Sequence, residues 1–141
     1  MTIEDIQNQV IEEFSAYEDW MDKYNYLIQI SAELIPLSTA HKTEDNLIDG
    51  CQSKVWLHTE FAGGKIFYMA DSDAIITKGL ITLLIRVLSA RTPKEIIDAD
   101  LFFIEKIGLK ENLSPTRSNG LLAMIKKMKL YALAYQAKGD K

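Results

Sequence analysis

The chain has 141 residues, 48% of them hydrophobic and 26% charged, with a formal net charge of −4. That length and apolar content suit one globular domain with a real core, and they set wholesale disorder aside. The negative balance argues against nucleic acid or an anionic membrane as the main partner, and no apolar run approaches the length of a membrane span.

The first residues, Met1-Thr2-Ile3-Glu4-Asp5, lack the basic-then-apolar order of a secretory leader, so the expectation is a cytoplasmic protein whose single cysteine stays reduced. Ile3, Ile6, Val10, Ile11 and Phe14 recur at helical spacing and predict an amphipathic helix of about three turns. Ser15-Ala16-Tyr17-Glu18 has the Ser-x-x-Glu form of a capping box. It opens a second stripe through Trp20, Met21, Tyr24, Leu27, Ile28, Ser31 and Leu34, which Pro36 stops. From Leu37 to about Lys54 the texture turns polar. A connection that long in a compact domain is either disordered or functional, and this one delivers the only cysteine, Cys51.

Val55, Leu57, Thr59 and Phe61 then alternate with Trp56, His58 and Glu60, a strand with one buried face. Gly63-Gly64 supplies a tight turn, and Ile66, Tyr68 and Ala70 mark the returning strand. Because two strands alone are marginal, a third is expected near residues 46–48, with helices covering one face. Asp71-Ser72-Asp73 offers three N-cap side chains in a row before a helix carrying Ile75, Ile76, Gly79, Leu80, Leu83, Leu84, Val87 and Leu88. Thr92-Pro93-Lys94-Glu95 begins a short helix that ends near Asp98, and residues 101–107 make another turn or two closed by Gly108. Ser114 to Gly120 lead into a final helix with the stripe Leu121, Met124, Ile125, Met128, Tyr131 and Tyr135, whose Lys126, Lys127 and Lys129 read as a solvated face. Segregated hairpin and helices predict a single α+β domain over residues 1–141, a small antiparallel sheet flanked by helices.

A lone thiol closes no intramolecular disulfide and supplies no thiolate-rich zinc or iron–sulfur site. The chain also lacks Cys-x-x-Cys and His-x-x-x-His spacings and a glycine-rich loop opening a helix. What remains for Cys51 is nucleophilic chemistry or inert burial. Gly50 permits a sharp turn, and Asp49, Gln52 and Ser53 are poor company for a buried thiol. Sulfur-to-sulfur transfer needs no dedicated base, whereas amide or ester cleavage usually needs a histidine in reach, for which the chain has only His41 and His58. Acidic Glu44, Asp45 and Asp49 oppose thiolate formation, so any depression of the thiol pKa has another source.

Three strings carry a resemblance: Gly50 to Trp56 (GCQSKVW), Ala70 to Leu80 (ADSDAIITKGL) and Leu113 to Leu121 (LSPTRSNGL). With their order and separation, and the aromatic start of the second helix from Trp20 to Leu27, the chain resembles the SufE family of cysteine-desulfuration proteins over nearly its whole length. The resemblance implies the fold shared with NifU-type iron–sulfur scaffolds. It implies that Cys51 takes persulfide sulfur from a cysteine desulfurase, stimulates that enzyme and passes the sulfur to iron–sulfur scaffold proteins. Such a chain is a sulfurtransferase-like carrier and activator instead of a stand-alone enzyme. It has no cofactor of its own, since the pyridoxal phosphate belongs to the desulfurase.

By the same resemblance Arg117 lies near the cysteine loop, where it stabilises the thiolate or pairs with Asp71 or Asp73. Gly50, Gln52, Ser53, Asp71 and Asp73 become candidates for partner contact, although the two aspartates read first as helix caps. A resting Cys51 is expected to be sheltered on a loop that swings out, because an exposed persulfide is lost to reductants. Two alternatives stay open: a desulfurase-binding module in which Cys51 is incidental, and a thiol hydrolase using His41 or His58.

Overall fold

A computed structural model describes residues 1–139. The first apolar stripe forms α1 (Ile3–Ser15), capped by a reciprocal pair: Asp5 N–H donates to Thr2 Oγ1 and Thr2 N–H to the Asp5 carboxylate, each at 3.0 Å. The second forms α2 (Trp20–Ser31), but its cap is Asp19, whose Oδ1 accepts from Asp22 N–H at 2.9 Å. The predicted box at Ser15 does not form. Ser15 is the last residue of α1, and its hydroxyl donates back to the Glu12 carbonyl at 2.7 Å.

The polar connection contains two short 3₁₀ turns, Thr39–His41 and Glu44–Asn46. Then β1 (Val55–Ala62) and β2 (Lys65–Ser72) pair antiparallel in register from Val55–Ser72 to Ala62–Lys65. Gly63 and Gly64 make the turn at φ +60° and +78°. Val55, Leu57, Ile66, Tyr68 and Ala70 form the buried face. The alternation fades toward the tip, where Phe61 is 43% exposed and its ring stacks on Tyr135.

Among the described residues the sheet has two strands, and the expected third shrinks to an isolated bridge between Leu47 and Trp56. Ile48 N–H donates to Val55 O at 2.9 Å, but the 3₁₀ turn before Leu47 and the positive φ of Gly50 leave too little extended chain to continue the ladder. On the other edge Ile66 bridges to Arg91.

Helix α3 (Ile75–Leu88) is central, packing on α1, α2, β2 and the last helix. It approaches α2 so closely at Gly79 that a Cβ there would lie 2.5 Å from the Leu27 carbonyl oxygen. Its N-cap position is Ala74, with no side-chain bond, because Asp71 and Ser72 still belong to β2. The short helix α4 (Pro93–Asp98) has the predicted Thr92–Glu95 box. After it come α5 (Phe103–Lys106), Gly108 at φ +80°, and a further turn α6 (Leu109–Asn112) that the pattern did not announce. Helix α7 (Pro115–Gly139) starts earlier than its apolar stripe suggests: Ser114 Oγ accepts from Arg117 N–H at 3.3 Å, which puts Arg117 and Gly120 inside the helix. Lys129 is no solvated residue either. Its ammonium donates to Ala99 O at 2.6 Å and Ile97 O at 3.3 Å, joining α7 to the end of α4.

Candidate functional site

Between buried Ile48 and buried Val55 the chain makes a short excursion, residues 49–54, closed at its base by the Ile48–Val55 hydrogen bond. Its descending limb is clamped at Lys54. Lys54 N–H donates to Asp73 Oδ1 at 3.0 Å, and Lys54 O accepts from Asp73 N–H at 3.2 Å and from the Ser72 hydroxyl at 2.8 Å. The Asp-Ser-Asp string expected to cap a helix therefore holds the cysteine loop.

At the tip Gly50 turns the chain with φ +91°, and a Cβ on it would stand 3.3 Å from the Ala123 Cβ of α7. This seats Cys51 half-buried against the same helix, where its Sγ donates weakly to the Gly120 carbonyl at 3.6 Å. Burial pushes the thiol above its ordinary pKa.

The sulfur is not sealed in. A cleft of about 440 Å³ opens beside it, lined by Gln52, Ser53, Ile75, Thr77 and Arg117 among others. Arg117 is exposed there and forms no ion pair with either aspartate, contrary to one of the two roles expected of it. Asp71 is already engaged. It is 4% exposed, and its carboxylate takes the ammonium of Lys42 at 3.0 Å, that of Lys78 at 3.5 Å and the Ser72 N–H at 2.8 Å. Burial alone would raise its pKa, but the bond from Lys42, the Ser72 N–H and the Lys78 charge outweigh it and hold the carboxyl below its usual range.

The structure thus brings Cys51, Gln52, Ser53 and Arg117 to one cleft, uses Gly50 as the turn, and leaves Asp71 and Asp73 at the loop's base. Gly120, Ser114 and Ile75 also meet at the cleft; all three lie in the strings that carry the resemblance, although periodicity alone singles out none of them as a site residue. His41 and His58 are elsewhere: they stack on each other at 3.8 Å, and neither lines the cleft. The cysteine–histidine pair that a hydrolase requires is not assembled. Among the described residues no three His, Cys, Asp or Glu side chains are grouped to hold a metal ion, and no helix is long and apolar enough to cross a membrane.

The SufE family profile, described as an Fe-S metabolism associated domain, matches residues 8–132. SufE-like protein 1, chloroplastic/mitochondrial, of Arabidopsis thaliana is 38% identical over 133 residues, which are 94% of this chain but 36% of that protein. The chain therefore spans about a third of that relative's length. Uncharacterised SufE-like proteins of Synechocystis and Rhizobium etli are 36% and 39% identical, over 91% and 86% of this chain and 80% and 86% of their own. The solution structure of a hypothetical protein from Thermus thermophilus has a TM-score of 0.76, covering 94% of this chain and 96% of that one, and at 21% identity it speaks for the fold alone. With the α+β architecture as expected and the family profile spanning both the loop of Cys51 and the helix that seats it, the chain belongs to the SufE family, whose domain is associated with iron–sulfur metabolism.

Proposed function

We propose that the protein is a sulfur acceptor and carrier: Cys51 takes persulfide sulfur from a cysteine desulfurase, stimulates that enzyme by clearing its product, and delivers the sulfur to an iron–sulfur scaffold protein. The observation that supports this most is the half-buried thiol at the tip of a glycine turn, opening on a cleft that holds an exposed guanidinium.

At rest, burial favours the neutral thiol, and each unit by which its pKa rises removes about 1.4 kcal/mol of thiolate stability, a tenfold loss of thiolate. Docking moves the loop off α7, and the thiol proton passes to solvent. The Cys51 thiolate then attacks the outer sulfur of the partner's persulfide. A bond forms from Cys51 Sγ to that sulfur, the partner's sulfur–sulfur bond breaks, and the partner cysteine leaves as thiolate. No external oxidant or reductant enters. Delivery repeats the exchange with Cys51 as the leaving group. Arg117 supplies positive charge that favours the thiolate when the partner is docked at the cleft.

Gly50, Gln52, Ser53 and the exposed Asp73 are the proposed contact residues, whereas buried Asp71 drops out of that set. The carrier uses no cofactor of its own, the pyridoxal phosphate being the desulfurase's, and cytoplasmic residence is part of the same reading.

Incubation with desulfurase and cysteine is expected to add one sulfur atom, about 32 Da, to the intact mass, and Cys51→Ser to abolish both the adduct and the stimulation of sulfide release. Equal stimulation by the serine variant refutes the carrier and leaves a binding module.

A further inference from the structure

The proposed chemistry makes no use of Asp71, among the described residues the one buried carboxylate. Asp71 is 4% exposed, and its two ammonium partners come from different parts of the chain. Lys78 belongs to α3, which is already packed on β2. Lys42 belongs to the segment leading into the cysteine loop. The same Lys42 ammonium lies 5.6 Å from the ring centroid of Trp56, the residue opposite Asp71 in the hairpin register and the one bridged by Leu47. One residue earlier, His41 stacks on His58 of β1 at 3.8 Å. The incoming limb is thus fastened to the hairpin at residues 41, 42 and 47, while the outgoing limb is clamped at Lys54 by Asp73. Only the tip between them, bearing Cys51, rests on α7 through contacts as light as a thiol-to-carbonyl bond.

We infer that Lys42, through its ion pair with Asp71, is a positioning residue for Cys51: it sets the incoming limb so that the sulfur meets its seat on Gly120. The pair is well placed for this, because a carboxylate out of water holds its counter-charge far more firmly than an exposed one. Losing one of two cations from a buried carboxylate also leaves that carboxylate under-neutralised, which drives the segment to rearrange. This deepens the carrier reading by naming what holds its nucleophile at rest, but its test does not require that reading.

The experiment compares Lys42→Met, which keeps an unbranched side chain over Trp56 and loses the charge, with Lys42→Arg and wild type. Iodoacetamide alkylation of Cys51 is followed from about pH 6 to about pH 10, with thermal unfolding measured alongside. Lys42→Met is expected to react at least about threefold faster at each pH below the midpoint, with that midpoint displaced toward an unburied thiol, and Lys42→Arg to follow wild type. A purely structural lysine would lower the unfolding temperature and leave the alkylation midpoint in place. A Lys42→Met profile that coincides with wild type overturns the inference, as does a Lys42→Arg profile that coincides with Lys42→Met. Asp71→Asn provides the reciprocal variant and should match Lys42→Met in profile; wild-type reactivity in a folded Asp71→Asn protein likewise overturns it. If reactivity changes as expected but no variant, wild type included, gains sulfur from a desulfurase, the carrier reading fails and the positioning role stands.

Discussion

Gly50→Ala tests whether the cysteine loop can leave its seat without unfolding the protein. Gly50 sits at φ +91°, where an L-residue costs about 1–2 kcal/mol. The added Cβ would also meet Ala123 Cβ at 3.3 Å, so α7 or the loop must yield slightly. Both penalties vanish if the tip undocks, since nothing else binds residues 50–53 as tightly as the clamps at Ile48 and Lys54 bind the base. A strain of that size shifts the docked-to-undocked ratio about 5–30-fold. The rate constant for iodoacetamide alkylation, read at one pH on native protein, should rise by that factor until the undocked form predominates, with the unfolding temperature nearly unchanged. Unaltered alkylation together with an unfolding temperature lowered by roughly 3–5 °C per kcal/mol would refute the reasoning, because the whole fold would then be bearing the strain.

Gly79→Ala forces a Cβ to within 2.5 Å of the Leu27 carbonyl, and overpacking against backbone should cost about 1–3 kcal/mol or more in urea unfolding; an unchanged midpoint would mean that α2 and α3 separate freely. The two shifted groups at the loop give opposite pH signs. The folded Cys51 pKa is raised, so its contribution is complete below the unfolded value of about 8.5 and is lost as pH climbs through the folded one; Cys51→Ser should remove that alkaline loss. The folded Asp71 pKa is depressed, so its contribution is present above about 3.9 and is lost as pH falls through the folded value, a slope that stability measurements on Asp71→Asn should no longer display. Arg117→Ala should leave the alkylation profile of the isolated protein unmoved, because burial is the sole cause of the resting shift, while weakening desulfurase stimulation; a displaced profile in the absence of partner would contradict this.

Periodicity carried the elements whose partners are local. The stripe of α1, the Gly63-Gly64 hairpin with its buried Val55, Leu57, Ile66 and Tyr68, and the Thr92–Glu95 box all follow from spacing alone. Misreadings arose where a side chain had a better partner far away or a closer one behind it. Ser15 bonds back within its own helix, so Asp19 caps α2. Asp71 and Asp73 look like caps because nothing in their neighbourhood names Lys42 or Lys54 as partners. A third strand was a sound demand of sheet physics, yet the bridge at Leu47 and that at Arg91, with helices alongside, cover the edges that it was invoked to protect. Cys51 stood out as the only thiol, and resemblance put Arg117 near it. No pattern linked it to Gly120, which acts through its backbone across 69 residues of separation.

That the sulfur's partner is a main-chain oxygen has a consequence of its own. A carbonyl accepts from a thiol but repels a thiolate, so the perch on Gly120 holds only the protonated atom. Ionisation therefore weakens the seat, and leaving the seat makes ionisation easier. On the carrier reading this couples the charge of the sulfur to its position, and no side-chain replacement on α7 deletes the acceptor.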